Sequence, residues 1–443
     1  MDENLLHDVV AAALKAGADG AEAVWAERQS LSISVRMGAL EEVEREEARD
    51  LGLRVFVGKQ QATVSGSNFS PEARARLIER AVAMARLAPE EPYAGLAPQD
   101  KLARGPSPNL DLFDPTEPSA ESLEDQARAA EAAALAIPGV ANSDGGSSGW
   151  SASRWRLVTS SGFDGLHEAS GFSISASAIA GEGSGMERAG DGRSKRWRAD
   201  LPDAGEIGAE AGRRAVARLN PRKISSTTAP VIFENRVATS LFSPLIGAIA
   251  GPAIARGTSF LKDKLGEALF SADVTVTEDP HRLRGLGSTP FDDEGVANKR
   301  RALIDKGVLT TWLLNTASAL QLGLETTGHA SRGLAGPPGV GTTNVTVEPG
   351  HLDLDALMRD AGSGLLITSM FGPSLNANTG DWSTGVSGFW FENGQIAYPV
   401  TEITVAGNLI DIYGRLVAGS DLVYRSSRNS PSLLVDALAI AGR

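Results

Sequence analysis

Apolar positions along this chain recur with two different periods, and the period changes at punctuated points. Between residues 3 and 17, Leu5, Val9, Ala12 and Ala13 fall at helical spacing before the breakers Gly17 and Gly20, which predicts an amphipathic helix. From 21 to 67 the pattern alternates instead. Leu31, Ile33 and Val35, then Leu51, Leu53, Val55 and Val57, with Gly38 and Gly58 at turns, predict a β-meander. Helical period returns over 71–88 behind Pro71, a residue suited to a first helical turn. The next thirty residues, 89–118, hold seven prolines and few periodic apolar positions, so they read as a long ordered connection.

A second cycle follows. Residues 119–137 predict a helix with Ser119 as N-cap and Glu121 in the first turn, without a full capping box because Ser122 stands at its third position. Residues 140–200 read as a second meander and 204–220 as a closing helix. After the polar stretch SSTTAP at 225–230, the strand-like VIF at 231–233 turns into an apolar helix. The rest is short strands with Gly-rich turns and short helices near 353–361 and 433–441. Strands and helices are grouped rather than alternating, which predicts an α+β fold. The expected organisation is an N-terminal α+β unit at 1–105, a central helix and β-meander unit at 106–224, and a large β-rich C-terminal domain with few helices at 225–443.

Composition narrows the chemistry. The chain has 443 residues, enough for two or three domains at roughly 150 each. It has no cysteine, which removes disulfides, thiolate zinc sites and thiol nucleophiles from consideration. A net charge of −13 and a pI near 5.0 argue against nucleic-acid binding. The basic clusters at 193–198, 213–223 and 299–301 sit among acids and read as solvated faces. The N-terminus starts acidic and its apolar run is broken by Asp8 and Lys15, unlike a signal peptide. The most apolar stretch, 238–255, holds two prolines. It falls short of the about 20 apolar residues a membrane span needs, so it reads as buried and no membrane contact is expected.

Several stretches resemble catalytic motifs and fail on spacing. GLHEASGF at 165–172 begins like a zinc-protease helix, but the i+4 and i+5 positions from His167 are Gly171 and Phe172, and the following FSISASAIA has strand period. On a strand, His167 and Glu168 point to opposite faces. DGGSSGW at 144–150 contains Gly-x-Ser-x-Gly, yet glycines precede it and a strand-like run follows, so it reads as a flexible hairpin tip rather than a nucleophile elbow. TPFDDEGVANKRR at 289–301 clusters three acids before a glycine and reads as a turn, with a cation site as the weaker reading, and Glu392-Asn393-Gly394 reads as the turn of a hairpin. The Gly/Pro loop at 326–350 has a length that often accompanies function. A site assembled from distant strands would draw on His281, His329 and Asp292 or Asp293.

VIFENRVATSLFSPLIGAIAG, RGTSFLKDKLG, STPFDDEGV, TTGHASRG and TGDWSTGVSGFWFENGQIAYPVTEITVAGNL together resemble the TldD/PmbA family, and within it the PmbA/TldE type, across essentially the whole chain. The old label for such proteins is modulator of DNA gyrase. The resemblance implies a cytoplasmic two-subunit zinc metalloprotease acting on unfolded peptides, such as a bacteriocin leader or antitoxin-like chains. In that pair, a TldD-type subunit carries His-Glu-x-x-x-His and a later cysteine. Here the helix after 231–233 has no histidine, residues 168–280 contain none, and Glu234 is the lone carboxylate. The resemblance therefore implies no catalytic, cofactor or metal residue in this chain, zinc in a TldD-type partner, no activity for this chain alone, and a homodimer when isolated. Candidate contacts to peptide or partner are His329, Asn344, Asp381 and Trp382, with 383–391 and 343–347 as candidate peptide-binding strand edges. Two other readings stay open: a stand-alone hydrolase around His281, His329 and Asp292, and a non-enzymatic regulator of a topoisomerase.

Overall fold

The computed structural model describes residues 4–442. Helix α1 spans Leu5–Lys15; residue 3, the expected start, lies outside the described residues. Strands β1 (Gly20–Arg36), β2 (Ala39–Val57) and β3 (Gln60–Gly66) follow, then α2 (Pro71–Leu87), whose first turn is capped by Ser70 Oγ accepting from Ala73 N at 3.2 Å. After the long connection come α3 (Ala120–Leu135), β4 (Val140–Thr159), β5 (Asp164–Ala180), β6 (Glu187–Lys195) and α4 (Ala204–Ala217). All six strands form one antiparallel sheet in the order β3-β2-β1-β4-β5-β6, so the sheet runs across the 105/106 division.

Helices cover this sheet according to where its apolar side chains face. Leu6, Val9 and Val10 of α1 and Ile78, Ala81 and Val82 of α2 bury against Leu51, Leu53 and Val55. Ala130 and Ala134 of α3 and Ile207, Ala211 and Ala215 of α4 bury against Ile174, Ala176 and Ala178. The DGGSSGW stretch is not a hairpin tip: it lies inside β4, paired on both sides. Its glycine has a packing reason. A Cβ on Gly146 would sit 2.3 Å from the Ala127 carbonyl of α3, so the helix backbone rests directly on the strand.

The second half opens with β7 (Thr227–Phe233), then α5 (Phe242–Ala248) and α6 (Gly251–Ala255). Short strands β8 (Val276–Glu278), β9 (Arg301–Asp305) and β10 (Val308–Leu309) precede α7 (Thr316–Leu322). Then come β11 (Ala330–Ser331), β12 (Gly339–Val340), β13 (Val345–Val347), α8 (Leu354–Ala361), β14 (Gly364–Leu375), β15 (Asp381–Glu392) and β16 (Gln395–Asn408). The last elements are α9 (Leu409–Gly414), β17 (Leu416–Ala418), β18 (Arg428–Asn429) and β19 (Leu433–Ala441). The expected helix at 433–441 is thus a strand.

Strands β16, β15, β14, β7 and β19 pair in that order, and β19 pairs back to β16, so they close into a five-stranded barrel with β17 beside β19. Closure removes open edges. The period of two sorts the residues of β7: Val231 and Phe233 join the main core, while Ile232 packs with Leu357 and Met358 of α8. The hairpin turn falls where expected, with φ of 52° at Asn393 and 74° at Gly394, values that an Asn-Gly pair tolerates. A second sheet, β10-β9-β8-β13-β18, completes this half. Neither candidate peptide edge is free along its ladder: β15 lies between β14 and β16, and β13 between β8 and β18. Among the described residues no helix is long and apolar enough to cross a membrane.

Candidate functional site

Two cavities stand where the elements above leave room for a ligand. The first lies on the turn and helix after β7. Ser240, Ser243, Pro244 and Gly247 recur at i, i+3, i+4 and i+7, so they share one face, and that face lines a cavity of about 610 Å³. The opposite face, with Leu241 and Leu245, is buried in the core. Phe260, Met370, Leu375 and Trp382 close the cavity. Its walls are largely apolar with a few hydroxyls, the usual character of a pocket that takes an organic side chain. Trp382 is held from behind by Phe233, ring centroids 6.3 Å apart.

The second cavity, about 580 Å³, opens between the two halves of the chain. Strands β4, β5 and β6 present Gly145, Ser147, Ser177 and Gly192, and four guanidiniums converge on it: Arg193 of β6, Arg214 of α4, Arg236 after β7, and Arg425 before β18. Asp191 bridges two of them, accepting from Arg193 Nη1 at 2.8 Å and Arg214 Nη1 at 2.7 Å. Burial works against its charge, but the two guanidiniums outweigh that and hold its carboxyl below the usual range. The solvated faces expected at Arg193 and Arg214 are not what the structure shows: both side chains are largely buried.

The residues singled out from sequence are not brought together. Trp382 lines the apolar cavity. Asp381, its neighbour, is exposed and bonds Thr379 Oγ1 and Asn408 Nδ2, fixing a turn. His329 is buried: its Nε2 lies 2.5 Å from Glu278 Oε2 and its Nδ1 2.8 Å from Thr327 Oγ1. Thr343 N and Oγ1 also donate to Glu278, and with His329 they overcome burial and hold its carboxyl below the usual range. Asn344 ties Gly287, Asp279 and Ser288 together at 2.8 Å each. His281 bonds Asn298, and Asp292 uses both oxygens on backbone N–H groups of Glu294, Val296 and Ala330. These residues organise loops and line neither cavity. His167 and Glu168 lie on β5 and alternate across it as expected. Burial and the charge of Arg196 push His167 down to about 4, so it is neutral at pH 7.

Comparison with known proteins gives this architecture a class. Three family models match consecutive stretches: the PmbA/TldA metallopeptidase domain 1 at 21–85, its central domain at 113–219 and its C-terminal domain at 226–442. The chain belongs to the PmbA/TldD metallopeptidase family. Within it, the chain is 39% identical over 447 aligned positions to Metalloprotease PmbA of Escherichia coli O157:H7, covering 99% of this chain and 96% of that one. A PmbA homolog of Haemophilus influenzae is 36% identical, with 97% and 94% covered. The fold superposes on a Bacteroides thetaiotaomicron protein described as a modulator of DNA gyrase with a TM-score of 0.93 at 29% identity and full coverage of both chains. It also superposes on TldE of Thermococcus kodakarensis with a TM-score of 0.88 at 22% identity, covering 99% of this chain and all of that one.

The relatives' names imply a metal, and the residues here do not fit one. The helix face on the apolar cavity offers hydroxyls, a proline and a glycine. Glu234, the nearby carboxylate, is tied to Arg236 Nε at 2.9 Å. Among the described residues no three His, Cys, Asp or Glu side chains are grouped so as to hold a metal ion.

One titrating group gives a testable pH dependence. Burial, with the charge of Glu22, pushes Asp293 up to about 6 against the pull of Arg332, whose backbone N–H donates to Asp293 Oδ2 at 2.9 Å. A raised carboxyl stabilises the fold when protonated, below the unfolded value near 4, and that stabilisation is lost as pH rises through about 6. Asp293→Asn keeps the acceptor and removes the charge. It is expected to flatten the stability profile between pH 4 and 6 and to gain about 1–3 kcal/mol at pH 8. Urea midpoints across that range check this, and an unchanged slope refutes it.

Proposed function

We propose that this chain is the PmbA/TldE-type subunit of a cytoplasmic two-subunit peptide hydrolase. It holds no catalytic metal of its own and encloses unfolded peptide together with a TldD-type homologue. The observation that carries the reading is the helix face after β7. It meets a roomy apolar cavity with Ser240, Ser243, Pro244 and Gly247, side chains that can cradle a peptide but cannot activate water. In this reading Trp382 and the cavity beside it accept an apolar side chain of the peptide, and the metal and its bound water belong to the partner. Bacteriocin leaders and antitoxin-like chains are the substrate class.

The test is reconstitution. An unfolded peptide substrate is incubated with the purified chain, with its TldD-type homologue, and with both, and zinc is measured in each. Cleavage by the mixture, with stoichiometric zinc in the homologue alone, is the expected outcome. Stoichiometric zinc and cleavage in this chain by itself would sink the proposal.

A further inference from the structure

The arginine-lined cavity is not needed to explain the fold. Asp191 is shared by Arg193 and Arg214, and Glu234 engages Arg236. Arg425 has no such carboxylate bonded to it among the described residues. Its Nε and Nη1 are buried and make no hydrogen bond, although its backbone is firmly placed, with Asn429 Oδ1 accepting from Arg425 N at 2.7 Å and from Ser426 N at 3.1 Å. Burial, followed by the like charge of Arg193 and, further down, of Arg214 and Arg236, pushes the pKa of Arg425 below the ordinary arginine value. A half-buried guanidinium beside other guanidiniums, with two buried donors idle, is costly unless a ligand supplies the missing acceptor. Guanidinium donors form a planar fork that matches a carboxylate or phosphate.

The geometry points to an oxyanion-binding site in this cavity, with Arg425 as its anchor and the carboxylates of an acidic peptide segment as its ligand. The choice of peptide over free phosphate rests on the proposed function and on size. A cavity of about 580 Å³ falls within the usual range for organic ligands, far more room than one phosphate fills. Asp191, together with Glu41 and Asp144 on the same walls, also limits how much negative charge the site accepts, favouring single carboxylates over a polyphosphate. The glycines and serines of β4, β5 and β6 keep one wall shallow enough for a main chain to lie along it. The positive cluster is local. The chain as a whole carries −13, so its overall field does not collect polyanions.

The experiment uses the purified full chain without its partner, so its outcome is independent of whether the two-subunit reading holds. A short glutamate-rich peptide, its glutamine counterpart and inorganic phosphate are titrated calorimetrically. The glutamate peptide is expected to bind, more weakly as salt rises, and the glutamine peptide to fail. Arg425→Gln is expected to lower affinity about 10- to 100-fold, the value of a hydrogen bond to a charged group. It removes a half-buried charge with two idle donors, so its thermal midpoint should be unchanged or higher. Ser177→Glu, which places a fixed negative charge on the wall, should abolish binding by a second route. Equal affinity for the two peptides, full affinity in Arg425→Gln, or binding of phosphate without the peptide overturns the inference. Loss of partner-dependent cleavage with peptide binding intact would instead sink only the proposed function.

Discussion

Replacing Glu22 with alanine is expected to cost about 3–5 kcal/mol, the usual loss on removing one partner from a buried charge cluster. Glu22 sits on β1 at 1% exposure, and its Oε1 accepts from Arg54 Nη1 at 3.1 Å and from Arg332 Nη1. Arg54 belongs to β2, whereas Arg332 lies between β11 and β12, so the carboxylate joins the first sheet to the second half of the chain. Arg54 has other support: its Nε donates to Gln61 Oε1 at 2.8 Å and its guanidinium carbon lies 4.6 Å from the Phe56 ring centre. Arg332 has less. Its side chain is fully buried, and its Nη2 makes no hydrogen bond. Without Glu22, Gly333 O at 3.3 Å is the one side-chain acceptor left to it among the described residues. The loss should appear as a lower urea midpoint and as earlier protease cutting in the 326–344 loop. Glu22→Ala combined with Arg332→Ala should cost less than the sum of the two, because the second change removes the charge that the first leaves unpaired. Additive costs, or a loss under about 1 kcal/mol for Glu22→Ala, would show that the cluster is not a working unit.

Glu22 also marks where reading the sequence stops being sufficient. Local features were legible because local physics sets them: the Ser119 cap, the period-two strands of the first sheet and the Asn393-Gly394 turn. What failed depended on distant partners. Residues 433–441, LLVDALAIA, form a short apolar run whose spacing fits either a helix or a strand. Pairing with β7, β16 and β17 decides for strand, and the same pairings close the barrel. The glycines of DGGSSGW read as a turn because their packing partners, the α3 backbone at Gly146 and the β1 backbone at Gly145, are invisible locally. The arginine cavity draws on positions 193, 214, 236 and 425, which no window of sequence unites. His329 and Asn344 stood out by residue type, yet their polar atoms are occupied in holding loops.

Gly208→Leu is expected to destabilise the chain by about 3 kcal/mol or more, the upper end of overpacking costs. Gly208 and Gly212 of α4 lie one turn apart and face Ala130 and Ala134 of α3. The helices meet backbone to backbone there: a Cβ on Gly208 would stand 1.8 Å from Ala130 O, and one on Gly212 2.8 Å from Ala134 O. Carbonyl oxygens inside a helix cannot swing aside, so any side chain must push the two helices apart and open the layer of alanines beneath them. The decisive comparison uses alanine. At an open helical position glycine to alanine stabilises by roughly 0.5–1 kcal/mol, because glycine loses more backbone freedom on folding. Gly247 of α5 is such a position, with no atom within 4 Å of the place an added methyl group would take. Gly247→Ala should therefore raise the urea midpoint, while Gly208→Ala, the same chemical change in another helix, should lower it. Equal signs for the two would show that α3 and α4 are not pinned by their backbones. The consequence would reach the arginine cavity as well, since Arg214 on α4 is placed there by this helix contact.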